Sequence, residues 1–173
     1  MKLIILDSET TGVDEKDRII QLAFVMHDGK TAKLHSTYCN PDVPIGFEAM
    51  AVHHITPEKI EGKKELKDTV TYKALLELNI PENVLVIHNA KFDLDMLAKE
   101  GFENKMQVID TLNIAKHLWP QLDRHSLQYL RYRGSLYRKE PEFTKKTGID
   151  LTNAHDASAD VIYLLILLEE KNE

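Results

Sequence analysis

The chain has one cysteine, Cys39, in 173 residues. A single cysteine excludes an internal disulfide and a cysteine-rich zinc site, and nothing then requires an oxidising compartment. Long hydrophobic runs are also missing. The longest, Val161 to Leu168, is far too short to span a membrane. The N-terminal apolar stretch, Leu3 to Leu6, meets Asp7 at once and is too short for a signal peptide. There is no internal repeat, low-complexity tract or long linker. These absences lead us to expect a cytoplasmic protein with no membrane partner. Its length suits one domain, 1–173, with a full hydrophobic core. Hydrophobic residues at 43% and charged residues at 29% fit that class.

Net positive charge is lacking too. A formal charge of −6 argues against nonspecific binding of nucleic acid. The charge is uneven, however. Arg124 to Lys146 holds seven basic residues against two acids, a net of +5, which leaves −11 for the rest of the chain. Tyr129, Tyr132, Tyr137 and Phe143 lie among these cations, and cations with aromatic faces suit phosphates and unstacked bases. The alternative is a solvated helix face with a connecting loop.

Periodicity and turn chemistry order the elements. Leu3 to Leu6 reads as a strand buried on both faces. Ile19 to His27 is a second strand, Asp28-Gly29 a hairpin signal, and Thr31 to Tyr38 a third strand. Glu48 to His53 reads as a short helical turn. Glu65 to Leu78 reads as one helix with Leu66, Val70, Ala74, Leu75 and Leu78 on a single side. Val84 to Ile87 is an apolar strand running into His88-Asn89, and Lys91 to Lys99 is helical. Gln107 to Ile109 is a brief strand, and a helix follows Asp110-Thr111 as far as Leu118. Ser126 caps a helix through Arg131, and a charge-rich loop, Arg133 to Thr147, comes next. Thr152 or Asn153 is the expected cap of the last helix. Antiparallel strands first, then alternating helices and strands, give an α/β fold: a mixed sheet with helices on both faces.

Carboxylates stand where these elements end. The first strand runs into Asp7-Ser8-Glu9-Thr10-Thr11-Gly12, and residues i and i+2 of a strand point to the same side. Asp7 and Glu9 therefore project together, and two such carboxylates resist burial unless a cation neutralises them. Their hard oxygens suit Mg²⁺ or Mn²⁺. Gly12 lets the chain turn sharply. Asp93 sits in the first turn of a helix just past a buried strand. His155 and Asp160 sit in the first two turns of the last helix, beside its apolar run. Asp156 shares a face with Asp160, and spacing alone leaves either as the ligand.

In order, Asp-x-Glu-Thr-Thr-Gly, His-Asn-x-x-Phe-Asp and His-x-Ala-x-x-Asp resemble the three motifs of the DEDDh, or DnaQ-like, 3′–5′ exonucleases. Ala49 to Thr56 and Leu118-Trp119-Pro120 are most similar to the exonuclease X branch of that family. The resemblance covers nearly the whole chain. It implies a ribonuclease H-like fold with a five-stranded mixed sheet flanked by helices. It implies two divalent cations, Mg²⁺ or Mn²⁺, held by Asp7, Glu9, Asp93 and Asp160, with His155 as general base. It selects Asp160 over Asp156, because the family places this acid five residues after the histidine. Thr10, Thr11 and Gly12 match the turn that meets the 3′-terminal nucleotide. Asn89 and Phe92 fit the second motif, more as support than as chemistry. His53 lies in a segment resembling substrate contacts, with a role in the core as its alternative.

The activity this implies is two-metal hydrolysis of DNA 3′ ends, single-stranded or frayed, to nucleoside 5′-monophosphates. RNA trimming by the same chemistry, proofreading beside a polymerase, and an inactive nucleic-acid-binding module are the alternatives. The chain ends about one helix after His155, so we expect no dedicated C-terminal extension for docking a polymerase. Ser8 stands where the family often has a bulkier β-branched residue. Its side chain is expected to face away from the metals, with little effect.

Overall fold

The apolar run Leu3–Leu6 continues as a strand straight through the acids. β1 spans Leu3–Thr10 in the computed structural model, which describes residues 1–147, 151 and 155–169. β1 pairs antiparallel with β2 (Ile19–His27), which pairs antiparallel with β3 (Ala32–Tyr38). On its other side β1 pairs parallel with β4 (Val84–Ile87), and β4 pairs parallel with β5 (Gln107–Asp110). The sheet order is β3-β2-β1-β4-β5, the five-stranded mixed sheet that the alternation of elements predicts. The β1–β2 register shifts between Glu9 and Thr10, at the end where the acids lie.

The two faces of β1 serve two cores. Ile4 and Leu6 pack with Leu75, Ala90, Met96 and Leu97, from α3 (Val70–Leu78) and α4 (Ala90–Lys99). Ile5 packs on the opposite side with Val161, Ile162 and Leu165 of α8 (Ala157–Glu169). A third cluster joins Ile20 to Ile45, Ile55 and Ile60, where α1 (Phe47–His53) and α2 (Pro57–Ile60) cover the turn after β1. Among the described residues between β5 and α8 lie α5 (Thr111–Leu118), α6 (Leu127–Arg133), a 3₁₀ turn (Leu136–Lys139) and α7 (Glu140–Thr147).

Three elements differ from the sequence expectation. The helix expected from Glu65 breaks at Thr69. A 3₁₀ turn covers Leu66–Asp68, and Thr69 caps α3 by accepting from the Tyr72 amide at 3.2 Å. The cap resets the helical phase, so Val70, expected on the buried side, is 80% exposed. The charge-rich loop is mostly helical. Leu136 and Phe143 anchor it in the second core, and the buried Arg131 guanidinium pairs with Glu140 at 2.8 Å. Finally, His155 precedes α8 instead of lying in it, with a left-handed φ of 58°. Thr152 and Asn153 lie outside the described residues. Asp156 accepts from the Ser158 amide at 2.9 Å at the start of α8.

Candidate active site

Alternation along β1 sets the geometry. Odd positions face α8, so Asp7 and Glu9 project toward Asp160, which α8 carries in its first turn. Even positions face α4, and there Ser8 donates to Asp93 Oδ1 at 2.7 Å. The acids thus approach the end of β1 from both faces of the sheet. Asp7, Glu9, Asp93, Asp160 and His155 line one cavity of about 500 Å³, together with Ser8, His88, Asn89, Phe92 and the first turn of α6. Ligand atoms of Glu9, His155 and Asp160 lie within 4.8 Å of one another.

Burial and mutual repulsion hold these carboxyls far above their ordinary range. Burial is the larger cause for Asp7, with Asp160, Asp93 and Glu9 adding negative potential. Glu9 is pushed up to about 9 by burial and by Asp160 and Asp93. Burial lifts Asp93 to about 7 against the Ser8 hydrogen bond that lowers it. Burial and Asp156 lift Asp160 to about 7, against a 2.9 Å hydrogen bond from Gln128. Neither ion pair found among the described residues involves any of the four. Clustered hard oxygens short of positive charge are the donor set that a Mg²⁺- or Mn²⁺-sized cation fits. His155 is exposed, and desolvation still pushes its imidazole below the ordinary value, so it is neutral at pH 7.

Asp156 and Asp160 are separated by their surroundings. Asp156 is occupied, accepting from Gln21 Nε2 at 3.1 Å and from the Tyr38 hydroxyl at 3.0 Å. Asp160 opens into the cavity.

The other expected substrate residues divide into two groups. Asn89 and Phe92 line the cavity. Thr10, Thr11, Gly12 and His53 are not among its lining residues. The Thr10 hydroxyl donates to the Gly12 carbonyl at 2.6 Å, and that of Thr11 to Asp17 Oδ1 at 2.8 Å. His53 is buried. Its Nδ1 accepts from the Ile55 amide, so Nε2 carries the proton it donates to the Thr10 carbonyl at 3.1 Å. It ties α1 to the end of β1. Gly12 does not occupy a left-handed φ. A Cβ there would meet Asp17 Oδ2 at 2.5 Å, so glycine is needed for close approach and not for the turn itself.

Several positioning residues escaped the sequence reading. Ser8 was expected to be inert because it points away from Asp7 and Glu9. It does, but α4 brings Asp93 onto that face, and the hydroxyl holds it. Gln128 donates to Asp160 and accepts from Arg131 Nη1 at 3.0 Å. Asp110 accepts from the amides of Asn89 and Ala90 and also from Leu112, joining the starts of α4 and α5. His88 donates Nε2–H to the His125 carbonyl at 2.9 Å and contacts Thr111 Oγ1 at 3.0 Å, bolting one rim of the cavity. Two of this set carry a sequence signal: Asp110 stands at a strand–helix junction, and His88 is the first residue of the His-Asn-x-x-Phe-Asp motif.

No helix among the described residues is long and apolar enough to cross a membrane. A family model described as an exonuclease, of the RNase T type, matches residues 4–168. The DNA polymerase III epsilon subunit of Rickettsia prowazekii is 34% identical over 143 residues, which cover 75% of this chain and 61% of that protein. The PolC-type DNA polymerase III of Clostridium perfringens is 29% identical over 163 residues, 91% of this chain and 10% of that protein. The chain therefore spans about a tenth of the PolC-type relatives it matches. Exonuclease X, solved in complex with a 5′-overhanging duplex DNA, is similar with a TM-score of 0.66 at 25% identity, over 98% of this chain and 92% of that one.

Proposed function

The chain belongs to the RNase T-type, DnaQ-like exonuclease family, and on that premise we propose that residues 1–173 act as one 3′–5′ exonuclease domain. Its substrate is DNA, with single-stranded or frayed 3′ ends preferred, and its products are nucleoside 5′-monophosphates. The observation that carries this reading is the convergence of Asp7, Glu9, Asp93, Asp160 and His155 on one cavity.

Asp7, Glu9, Asp93 and Asp160 would hold the two divalent cations, Mg²⁺ or Mn²⁺. When bound, these supply Lewis-acid polarisation of the scissile phosphate and of the attacking water. The chain's own residues do the rest. Ser8 and Gln128 fix the carboxylates of Asp93 and Asp160. An imidazole nitrogen of His155, neutral at working pH and open to solvent, accepts the proton of the attacking water. Asn89 and Phe92 line the space left for the terminal nucleotide. Thr10, Thr11 and Gly12 form the turn that follows the acids of β1 and hold it in place, with His53 bracing that turn.

The test uses a DNA oligonucleotide labelled at its 5′ end, with Mg²⁺ or Mn²⁺, beside a matched RNA. Wild type should shorten the DNA stepwise from the 3′ end, and Asp7→Ala should not, while remaining folded. Equal, negligible release by both proteins would defeat the reading in favour of a binding module. Preferential shortening of RNA would replace the substrate and keep the chemistry. The epsilon and PolC-type relatives favour a second setting, proofreading beside a polymerase in the cytoplasm. Co-elution with a replicative polymerase of the same cell tests it.

A further inference from the structure

Two of the chain's tyrosines are exposed where a soluble surface usually carries charge. Tyr132 is 60% exposed and Tyr137 39% exposed. Their rings touch, with centroids 5.8 Å apart and planes tilted by 36°. The Arg138 guanidinium lies 5.9 Å from the Tyr137 ring, and the buried Arg131 guanidinium lies 5.0 Å from the Tyr132 ring. Arg133, beside them at the end of α6, is exposed.

The place of this face matters as much as its composition. The first turn of α6, Ser126 to Gln128, forms a rim of the cavity, and Gln128 binds Asp160. Tyr132 is four residues on, so it lies on the same side of the helix, about 6 Å further from the cavity. The ring of Tyr137, from the 3₁₀ turn Leu136–Lys139 that follows α6, packs against Tyr132 and brings Arg138 beside it. The surrounding segment is the +5 stretch of a chain that is otherwise −11. That −11 repels a phosphate backbone, so a strand reaching the cavity needs attraction nearby, and this segment supplies it.

We propose that Tyr132, Tyr137 and Arg138 form a stacking site for unpaired bases of the strand whose 3′ end enters the cavity. This rests on the exonuclease reading and adds to it a second contact, away from the reacting phosphate. The tyrosine rings offer faces that any base can meet, and Arg138 and Arg133 offer charge to the backbone, so the site reads single-strandedness and not sequence.

The experiment measures binding of a fluorescein-labelled single-stranded DNA in EDTA by anisotropy, which needs no catalysis. The double variant Y132A/Y137A should raise Kd by roughly tenfold or more, and Y132F/Y137F should hold it within about twofold of wild type. A blunt duplex should bind both proteins alike. With Mn²⁺, hydrolysis of the p-nitrophenyl ester of thymidine 5′-monophosphate, too small to span the two sites, should be unchanged by Y132A/Y137A. Equal oligonucleotide affinity of wild type and Y132A/Y137A would overturn the proposal and leave this face to a protein partner. A loss in Y132F/Y137F as large as in the alanine variant would overturn it too, because the hydroxyls and not the rings would then be responsible. Failure of wild type to hydrolyse either the ester or DNA would defeat the exonuclease reading instead, while the metal-free binding result would still decide this one.

Discussion

Ser8 Oγ donates to Asp93 Oδ1 at 2.7 Å, a buried bond between residues 85 positions apart. Ser8 leaves β1 on the face opposite Asp7 and Glu9, and α4 delivers Asp93 to that face. The bond is a main force lowering a carboxyl that burial lifts to about 7. One hydroxyl thus biases both the direction and the charge of an acid that metal binding would need in its ionised form.

Ser8→Ala should therefore weaken divalent-metal affinity and nucleotide release by roughly 10–100-fold. It should destabilise the protein at pH 8 by about 1–3 kcal/mol, the cost of a buried acceptor losing its donor. Ser8→Thr keeps the hydroxyl and should recover most of both. Mn²⁺ titration by calorimetry and urea unfolding measure the two effects. An alanine variant with wild-type Mn²⁺ affinity would show that the bond positions nothing.

The acids also set how metal-free stability depends on pH. Folded-state values lie above unfolded ones: about 9 against 4.5 for Glu9, and about 7 against 3.8 for Asp93 and Asp160. Between the two values the folded chain binds more protons than the unfolded chain, so stability falls as pH rises. For these three the loss begins above pH 4 and is complete above pH 9, and Asp7, raised by the same burial, adds to it. In EDTA, Tm should fall between pH 7 and pH 9 by on the order of 5 °C, above the range where His35, His53, His88 and His155, held below their ordinary value, act in the opposite sense. Glu9→Gln should flatten this slope and be more stable than wild type at pH 9. Saturating Mn²⁺ should raise the wild-type Tm most at the high end, where the ionised set is what it binds. A Tm in EDTA that is level or rising over this range in both proteins would contradict the uncompensated cluster.

The sheet was legible because its signals are local. Apolar runs, the Asp28-Gly29 turn and two strand–helix alternations order five strands without any knowledge of packing. The pairing of Asp7 with Glu9 was legible for the same reason, since alternation is a property of the strand alone. Ser8 was not, because its role depends on which helix covers the other face. Arg131 reads as one more cation of a basic segment until packing buries it between Glu140, Gln128 and Tyr163. Residues 133–147 read as a loop because Leu136 and Phe143, which hold the segment to the core, are widely spaced among charges.

His155 carries a different expectation from the acids. It is exposed and sits outside α8, so removing its ring costs little packing. His155→Ala should lower kcat by about 10²–10⁴-fold, the usual range for loss of a general base. Tm in EDTA and the affinity for single-stranded DNA should stay close to wild type. The informative comparison is kcat against Kd. A variant that loses binding and turnover together would make His155 a ligand or substrate contact instead of the proton acceptor.

Gly12 and Asp17 should behave as a coupled pair. The Asp17 carboxylate accepts from the Thr11 hydroxyl and from the Asp14 amide at 2.7 Å, which folds the turn that follows Glu9. It occupies the space where a Gly12 side chain would go, with Oδ2 at 2.5 Å from a Cβ built there. Gly12→Ala should cost about 1–3 kcal/mol, as overpacking does. Asp17→Ala should also destabilise, by leaving the Asp14 amide and the Thr11 hydroxyl without their acceptor. In the double variant the added methyl fills space vacated by the carboxylate. Its loss should fall short of the sum of the single losses by about 1 kcal/mol or more. Urea unfolding of the four proteins measures the coupling. Strict additivity would mean that the turn relaxes around the methyl, and that close approach of Asp17 is not what requires glycine at position 12.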